Sequence, residues 1–187
     1  MLLSRLPTRA AADYIYQDSA GIPIGKISRT YDSQGNKHFY QSTVDKNGDW
    51  CRGGSTELKI TPYHLPDVLS AISAGKRIFI VEGEKDADRL QDEGHTTTCN
   101  AGGAQGWTDQ HSAWLIGAKR IFIVADDDEP GIRHAWHIHD SLRTTGLQCR
   151  ITVHTSPYAK DISDHLILRH SLREIQEIER QAPVVMH

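Results

Sequence analysis

The 187-residue sequence predicts an α/β fold, a mostly parallel sheet flanked by helices and preceded by a small antiparallel β-meander. Three observations carry this. Lys76-Arg77-Ile78-Phe79-Ile80-Val81 recurs as Lys119-Arg120-Ile121-Phe122-Ile123-Val124, and each copy runs into carboxylates. A short continuous apolar run rich in β-branching is how a strand reads when both its faces are buried in a parallel sheet. Around these copies, strand and helix patterns alternate at the spacing of βαβ units with right-handed crossovers. Ahead of them, short alternating segments are divided by Asp-Ser-Ala-Gly, Asp-Ser-Gln-Gly-Asn and Asn-Gly-Asp-Trp. Those residues supply the positive φ and local side-chain bonds of hairpin turns.

In chain order, residues 1–12 read as a loose arm. The meander takes Tyr14 to Tyr16, Ile24 to Tyr31 and His38 to Val44, ending at the Asn47–Trp50 turn. Thr61-Pro62 has the form of an N-cap and a proline at the first helical position. Leu65, Val68, Leu69 and Ile72 follow at helical spacing, and Gly75 closes that helix. Next come a strand over 77–81, a polar helix over 84–93, a short strand over 96–99, and the glycine loop Asn100-Ala101-Gly102-Gly103-Ala104. A helix over 108–117, a strand over 120–125, a helix over 130–145 and a strand over 148–154 complete the alternation. Two terminal helices, 163–169 and 171–181, are expected after it. The division is residues 1–61, arm and meander, and residues 62–187, the α/β unit.

A content of 38% hydrophobic and 24% charged residues describes a soluble globular chain with material for a real core. No stretch approaches the length of a membrane span, and the opening seven residues are too short and broken for a secretion signal. The three scattered cysteines indicate neither a disulfide framework nor a zinc ribbon, so a reducing cytoplasm is expected. Residues 1–61 carry 8 Lys+Arg against 6 Asp+Glu, and residues 62–187 carry 13 against 18. A basic front beside an acidic back suits a nucleic-acid face next to a metal site, and equally suits ordinary fluctuation. Lys26, Arg29, Lys37, Tyr40 and Arg52 are assigned to one exposed face of the meander. Basic and aromatic residues together fit a single strand of nucleic acid, although they are also simply good strand residues.

The chemistry is expected where the two copies end. In an open α/β sheet, ligands bind at the carboxyl ends of the strands. Glu82 stands at one such end, Asp126 and Asp128 at the other. The last two point the same way in an extended segment, and Asp86 returns to the side of Glu82 in the first helical turn. Carboxylates so placed repel unless a cation neutralises them, and a hard divalent ion, Mg²⁺ or Mn²⁺, suits oxygen ligands. Singly, each acid also has the plainer reading of a helix cap or first-turn acid.

Val81-Glu82-Gly83-Glu84-Lys85-Asp86, Asp126-Asp127-Asp128-Glu129-Pro130-Gly131 and Lys160-Asp161-Ile162-Ser163-Asp164 resemble, as a set, the toprim domain. The resemblance covers residues 62–170 and is strongest to toprim modules of phage- and plasmid-type primases and primase-helicases. It implies a Rossmann-like toprim fold and metal-dependent nucleotidyl transfer on single-stranded DNA, in a cytoplasmic protein of phage or plasmid origin. It makes Glu82, Asp86, Asp126 and Asp128 the catalytic acids, and Glu82, Asp126, Asp128 and Asp161 the metal ligands. Lys85, Lys160 and the Gly102-Gly103 loop become candidate phosphate contacts, and Lys26, Arg29 and Lys37 candidate DNA contacts. Implied partners are single-stranded DNA, nucleoside triphosphates, and a helicase or other replication protein. The same acids would serve a toprim nuclease, and a non-catalytic nucleic-acid or host-protein binding module is the third reading. The sequence lacks the cysteine pairs of a primase zinc ribbon and the GxxxxGK[ST] loop of a helicase motor.

Overall fold

The computed structural model describes residues 11–180. Strands β1 (Ala12–Gln17), β2 (Pro23–Tyr31), β3 (Lys37–Val44) and β4 (Trp50–Arg52) form an antiparallel sheet in that order. The expected meander thus gains a fourth strand. Its three hairpin turns share one device. Asp18, Asp32 and Asp45 each accept backbone N–H bonds from the residues two and four positions on. Gly21, Gly35 and Gly48 then take the positive φ, between 82° and 90°, that closes each loop.

Helix α1 (Thr56–Ile60) follows, a turn the periodicity did not show. Thr61 ends α1, donating its hydroxyl to Glu57 O, rather than opening the next helix. The next helix, α2 (Leu65–Ser73), begins at His64 in the left-handed conformation with Pro66 in its first turn. After it come β5 (Ile78–Ile80), α3 (Glu84–Asp92), β6 (Thr97–Thr98), a 3₁₀ turn (Gly103–Gln105), α4 (Asp109–Ala113), β7 (Arg120–Val124), α5 (Glu129–Thr144), β8 (Arg150–Thr155) and α6 (Ile162–Ile167). With β9 at Gln176–Glu177, the second sheet has the order β6-β5-β7-β8-β9, parallel except for β9.

The duplicated strands are neighbours, and the repeat pairs with itself in register: Ile78 with Ile121, Phe79 with Phe122, Ile80 with Ile123. Ile78, Ile80, Ile121 and Ile123 face one core with Leu115, Ile138 and Leu142 from the helices. Phe79, Val81 and Val124 face the other, which also holds Tyr14, Tyr16 and Ile27 of the meander. Both faces of the run are therefore buried, as a continuous apolar strand requires. Because the second core is shared, the meander lies against the α/β sheet and walls its carboxyl end.

The expected helix over 171–181 is absent from the described residues. Leu172, Ile175 and Ile178 recur at helical spacing, but the exposed edge of β8 captures this segment instead. The segment forms β9 (Gln176–Glu177), antiparallel to β8, and Ile178 N–H donates to Val153 O. Pairing an open sheet edge satisfies a row of backbone groups that a helix would leave bare. Residues 1–10, the predicted loose arm, lie outside the described residues. Among the described residues no helix is long and apolar enough to cross a membrane.

Candidate active site

The ends of β5, β7 and β8 and the starts of α3, α5 and α6 converge at one edge. Three features of the sequence build the loop after β7. Asp128 caps α5, its carboxylate accepting from Gly131 N–H at 2.8 Å. Pro130 occupies the first turn, where its missing N–H costs nothing. Gly131 is demanded by contact, since a Cβ there would stand 2.7 Å from Asp126 O and 2.9 Å from Asp126 Cβ. A backbone bond from Asp127 N–H to Lys160 O (2.7 Å) ties this loop to the one before α6. There Asp161 caps α6, accepting from Asp164 N–H at 2.7 Å.

The carboxylates fall into two groups. Asp128 and Asp161 are committed: beyond their caps, Asp128 pairs with Lys160 at 2.9 Å and Asp161 with Lys85 at 2.7 Å. The cap bond from Gly131 and then Lys160 hold Asp128 below the ordinary carboxylate range. Burial pushes Asp161 up, but Lys85 and the cap bonds outweigh it and the net shift is downward. Glu82, Asp86 and Asp126 are frustrated. Burial, then the charges of Asp128 and Asp86, raise Glu82. Burial raises Asp86 even though Ser163 donates to it through both its N–H and its hydroxyl. Asp126 is pushed up to about 7 by burial and by Glu82, Asp86, Asp161 and Asp128 around it. Nearby, Glu84 is buried at 8% exposure and accepts from Tyr16 OH at 2.8 Å, which links the meander to α3.

Opposite these acids stands the inner face of the meander. Alternation along β2 and β3 aims Ile27 and Arg29, with Lys37, Phe39 and Gln41, to one side. Together with Tyr14 they line a cleft of about 470 Å³ whose other wall is Glu82, Lys85, Asp86, Gly102, Gly103, Asp126 and Asp161. The single basic face expected from the sequence is split. Lys26 lies on the outer face, paired with Asp13 at 2.7 Å and set over Trp50, and Arg52 lies there over Tyr40. Arg29 and Lys37 alone of the basic meander residues named above reach the cleft. Phe39 and Gln41, not singled out from the sequence, were signalled by the alternation 37, 39, 41. Ser163 was visible as part of the motif but not as a donor to Asp86, a contact across 77 residues.

Gly102 and Gly103 take φ of 92° and 69°, and a side chain at either would meet nothing within 4 Å. Backbone conformation is what requires glycine there. They enter a 3₁₀ turn rather than an α-helix, held by Asn100 Nδ2 donating to Gly103 O at 2.8 Å.

Glu82, Asp126 and Asp86 offer hard oxygen donors, their pKa values raised first by burial and then by neighbouring carboxylates, with Lys85 3.5 Å from Asp86. A hard divalent ion such as Mg²⁺ or Mn²⁺ suits such donors. Among the described residues no three His, Cys, Asp or Glu side chains are gathered so as to hold a metal ion by themselves. An ion held by one or two carboxylates, its own waters and substrate phosphates is the usual mode for Mg²⁺.

No protein-family model matches the chain. It is 25% identical over 170 residues to a DNA primase of Chlamydia muridarum (strain MoPn / Nigg), a match covering 87% of this chain and 26% of the primase. Among solved structures it is similar to the DnaG catalytic core (TM-score 0.63, 18% identity, 87% of this chain and 49% of that one). It is also similar to the DnaG primase catalytic domain bound to ssDNA (0.62, 18%, 85% and 49%). The primase fragment of the bacteriophage T7 primase-helicase is a further likeness (0.57, 20%, 84% and 57%). The chain thus spans about a quarter of the curated primase and about half of each solved core. Its antiparallel meander followed by a mostly parallel, helix-flanked sheet is similar to the fold found in DNA primase catalytic cores.

Proposed function

We propose that the protein performs Mg²⁺- or Mn²⁺-dependent nucleotidyl transfer on single-stranded DNA, as a primase-like enzyme of toprim type. The observation that supports this best is the cleft itself, with Glu82, Asp86 and Asp126 facing Arg29 and Lys37. Arg29 and Lys37 hold the strand's phosphates, and Phe39 and Tyr14 give its bases an apolar flank. Gly102 and Gly103, carrying no Cβ, let a phosphate approach the backbone N–H groups. Glu82, its carboxyl raised above the ordinary range by burial and then by Asp128 and Asp86, accepts the proton leaving the attacking hydroxyl. Asp126 and Glu82, together with Asp86, would hold the ion, while Lys85 and Lys160 keep Asp161 and Asp128 charged and in place. Held there, such an ion would supply activation of the attacking oxygen and stabilisation of charge on the phosphate. A helicase or another replication protein is the partner that the resemblance implies for such an activity.

The test uses labelled single-stranded DNA with Mg²⁺ or Mn²⁺, with and without nucleoside triphosphates. Triphosphate-dependent synthesis of short products supports the proposal. Shortening of the DNA without triphosphates would instead establish a nuclease, and binding with no turnover a non-catalytic module.

The split of the basic residues makes a second prediction. Arg29→Ala/Lys37→Ala weakens strand binding about tenfold or more at low salt and lowers the slope of log K against log salt by about 1–2. Lys26→Ala changes either quantity little, because that side chain already neutralises Asp13 on the far face. Equal effects from both variants would show that the strand does not run through the cleft.

A further inference from the structure

A second cleft, of about 810 Å³, opens away from the carboxylates, at the C-terminal ends of α3 and α6. Helices α3 and α6 begin at the acid cluster, and the α3 residues lining this cleft, Arg89 and Glu93, lie about 4.5 and about 10.5 Å of helix beyond Asp86. Its floor is the sheet face bearing Phe79 and Phe122, stacked 5.1 Å apart. Its rim carries Arg77, Arg89, Arg169 and Arg173 against one acid, Glu93, in a chain whose net charge is −3.

We infer that this cleft binds a nucleotide unit, its phosphates on the four arginines and its base against Phe122 and His95. Several independent features support that ligand. Arg89 reaches Glu93 at 3.3 Å, but among the described residues no carboxylate pairs with Arg77, Arg169 or Arg173. Guanidinium groups gathered without counter-charges repel, and a phosphate fits their planar fork. Arg169 stands just past α6 at φ 65°, in the left-handed conformation where glycine is the usual helix terminator. Arginine is held there at a conformational cost. The lining also contains polar atoms left without partners, Arg89 Nε and Nδ1 of His154, a residue 93% buried. Leaving such atoms unsatisfied is unfavourable, and a ligand that bonds to them relieves it. The floor suits a base: Phe79 lies 5.4 Å from His95 and Phe122 lies 5.3 Å from His154. Burial and then the charge of Arg77 keep His95 below its ordinary pKa, so it presents a neutral ring. The volume lies within the range of small-ligand pockets, about 300–1,000 Å³.

The ligand is either a free nucleoside triphosphate or one link of a single strand, and the experiment separates them. Because the site stands on its own residues, its test needs no catalytic activity. The full chain is titrated in EDTA, with ATP by calorimetry and with a labelled oligothymidylate by fluorescence anisotropy. Arg77→Ala/Arg173→Ala is expected to weaken one of these at least tenfold, while Lys26→Ala, on the outer face of the meander, leaves that same ligand's affinity within twofold. A loss confined to ATP identifies a free nucleotide, and a loss confined to the oligonucleotide identifies a strand. Both arginines are exposed, so the melting temperature should not change. If the double variant melts early, Arg77→Gln and Arg173→Gln singly carry the same test. Failure of both ligands to bind, or binding of both unaffected by these variants, overturns the inference; in the second case the reading of the first cleft, tested separately through Arg29 and Lys37, still stands.

Discussion

Asp126→Asn is expected to abolish nucleotidyl transfer, by roughly a thousandfold or more, while making the metal-free protein more stable. The two effects have one cause. Asp126 sits among Glu82, Asp86, Asp161 and Asp128, and its pKa of about 7 records what its charge costs there without a cation. Amide replaces carboxylate at nearly constant shape, so the repulsion goes and so does the donor for the ion. A shift from 3.8 to about 7 would correspond to about 4 kcal/mol. Allowing for screening at a partly exposed group, on the order of 1–2 kcal/mol is realistic. For a chain of this size that is a rise of about 3–6 °C in melting temperature in EDTA.

The pH dependence follows with its sign. The folded protein binds a proton at Asp126 between pH 4 and 7 that the unfolded chain releases, so stability falls as pH rises through that window. The penalty is complete above pH 7 and absent below about 4. Other acids titrate too, so the readout is the difference between parent and Asp126→Asn melts in EDTA. That difference should grow from near zero at pH 4 to its full value above pH 7. A difference independent of pH would show that Asp126 is not held in the crowded position described.

Gly131→Ala should be the most damaging small substitution in the α5 turn. In an ordinary helix interior, alanine is better than glycine by about 0.5–1 kcal/mol. Here the new methyl would enter Asp126, 2.7 Å from its carbonyl oxygen, where backbone must move to admit it. Overpacking of that kind costs about 1–3 kcal/mol, enough to reverse the sign. The displaced group is Asp126 itself, and misplacement of a reacting constellation by about 1 Å can cost a hundredfold in rate. Thermal melts together with the primer-synthesis assay check both halves. A variant as stable as the parent would mean that the α5 turn relaxes without disturbing Asp126.

Much of this protein was legible locally. The duplicated Ile-Phe-Ile-Val run specifies strands buried on both faces, because alternate residues must go opposite ways and all are apolar. The three Asp-x-x-Gly turns specify hairpins through bonds that span no more than four residues. The acids were placed at strand ends by the same short-range logic.

Tertiary structure decided which acids stay frustrated. Lys85 reaches Asp161 across 76 residues and Lys160 reaches back to Asp128, so two of the carboxylates assigned to metal are already neutralised. No spacing rule reports such a pairing. It decided that Arg29 and Lys37 face the acids while Lys26 turns away, since the inner side of a sheet is defined only by what packs on it. It also drew Gln176 and Glu177 onto the edge of β8 despite their helical apolar spacing. Local pattern thus determined the strands, the turns and the supply of charge. Long-range packing determined the partner of each charge, because pairing energy depends on distance in space and not along the chain.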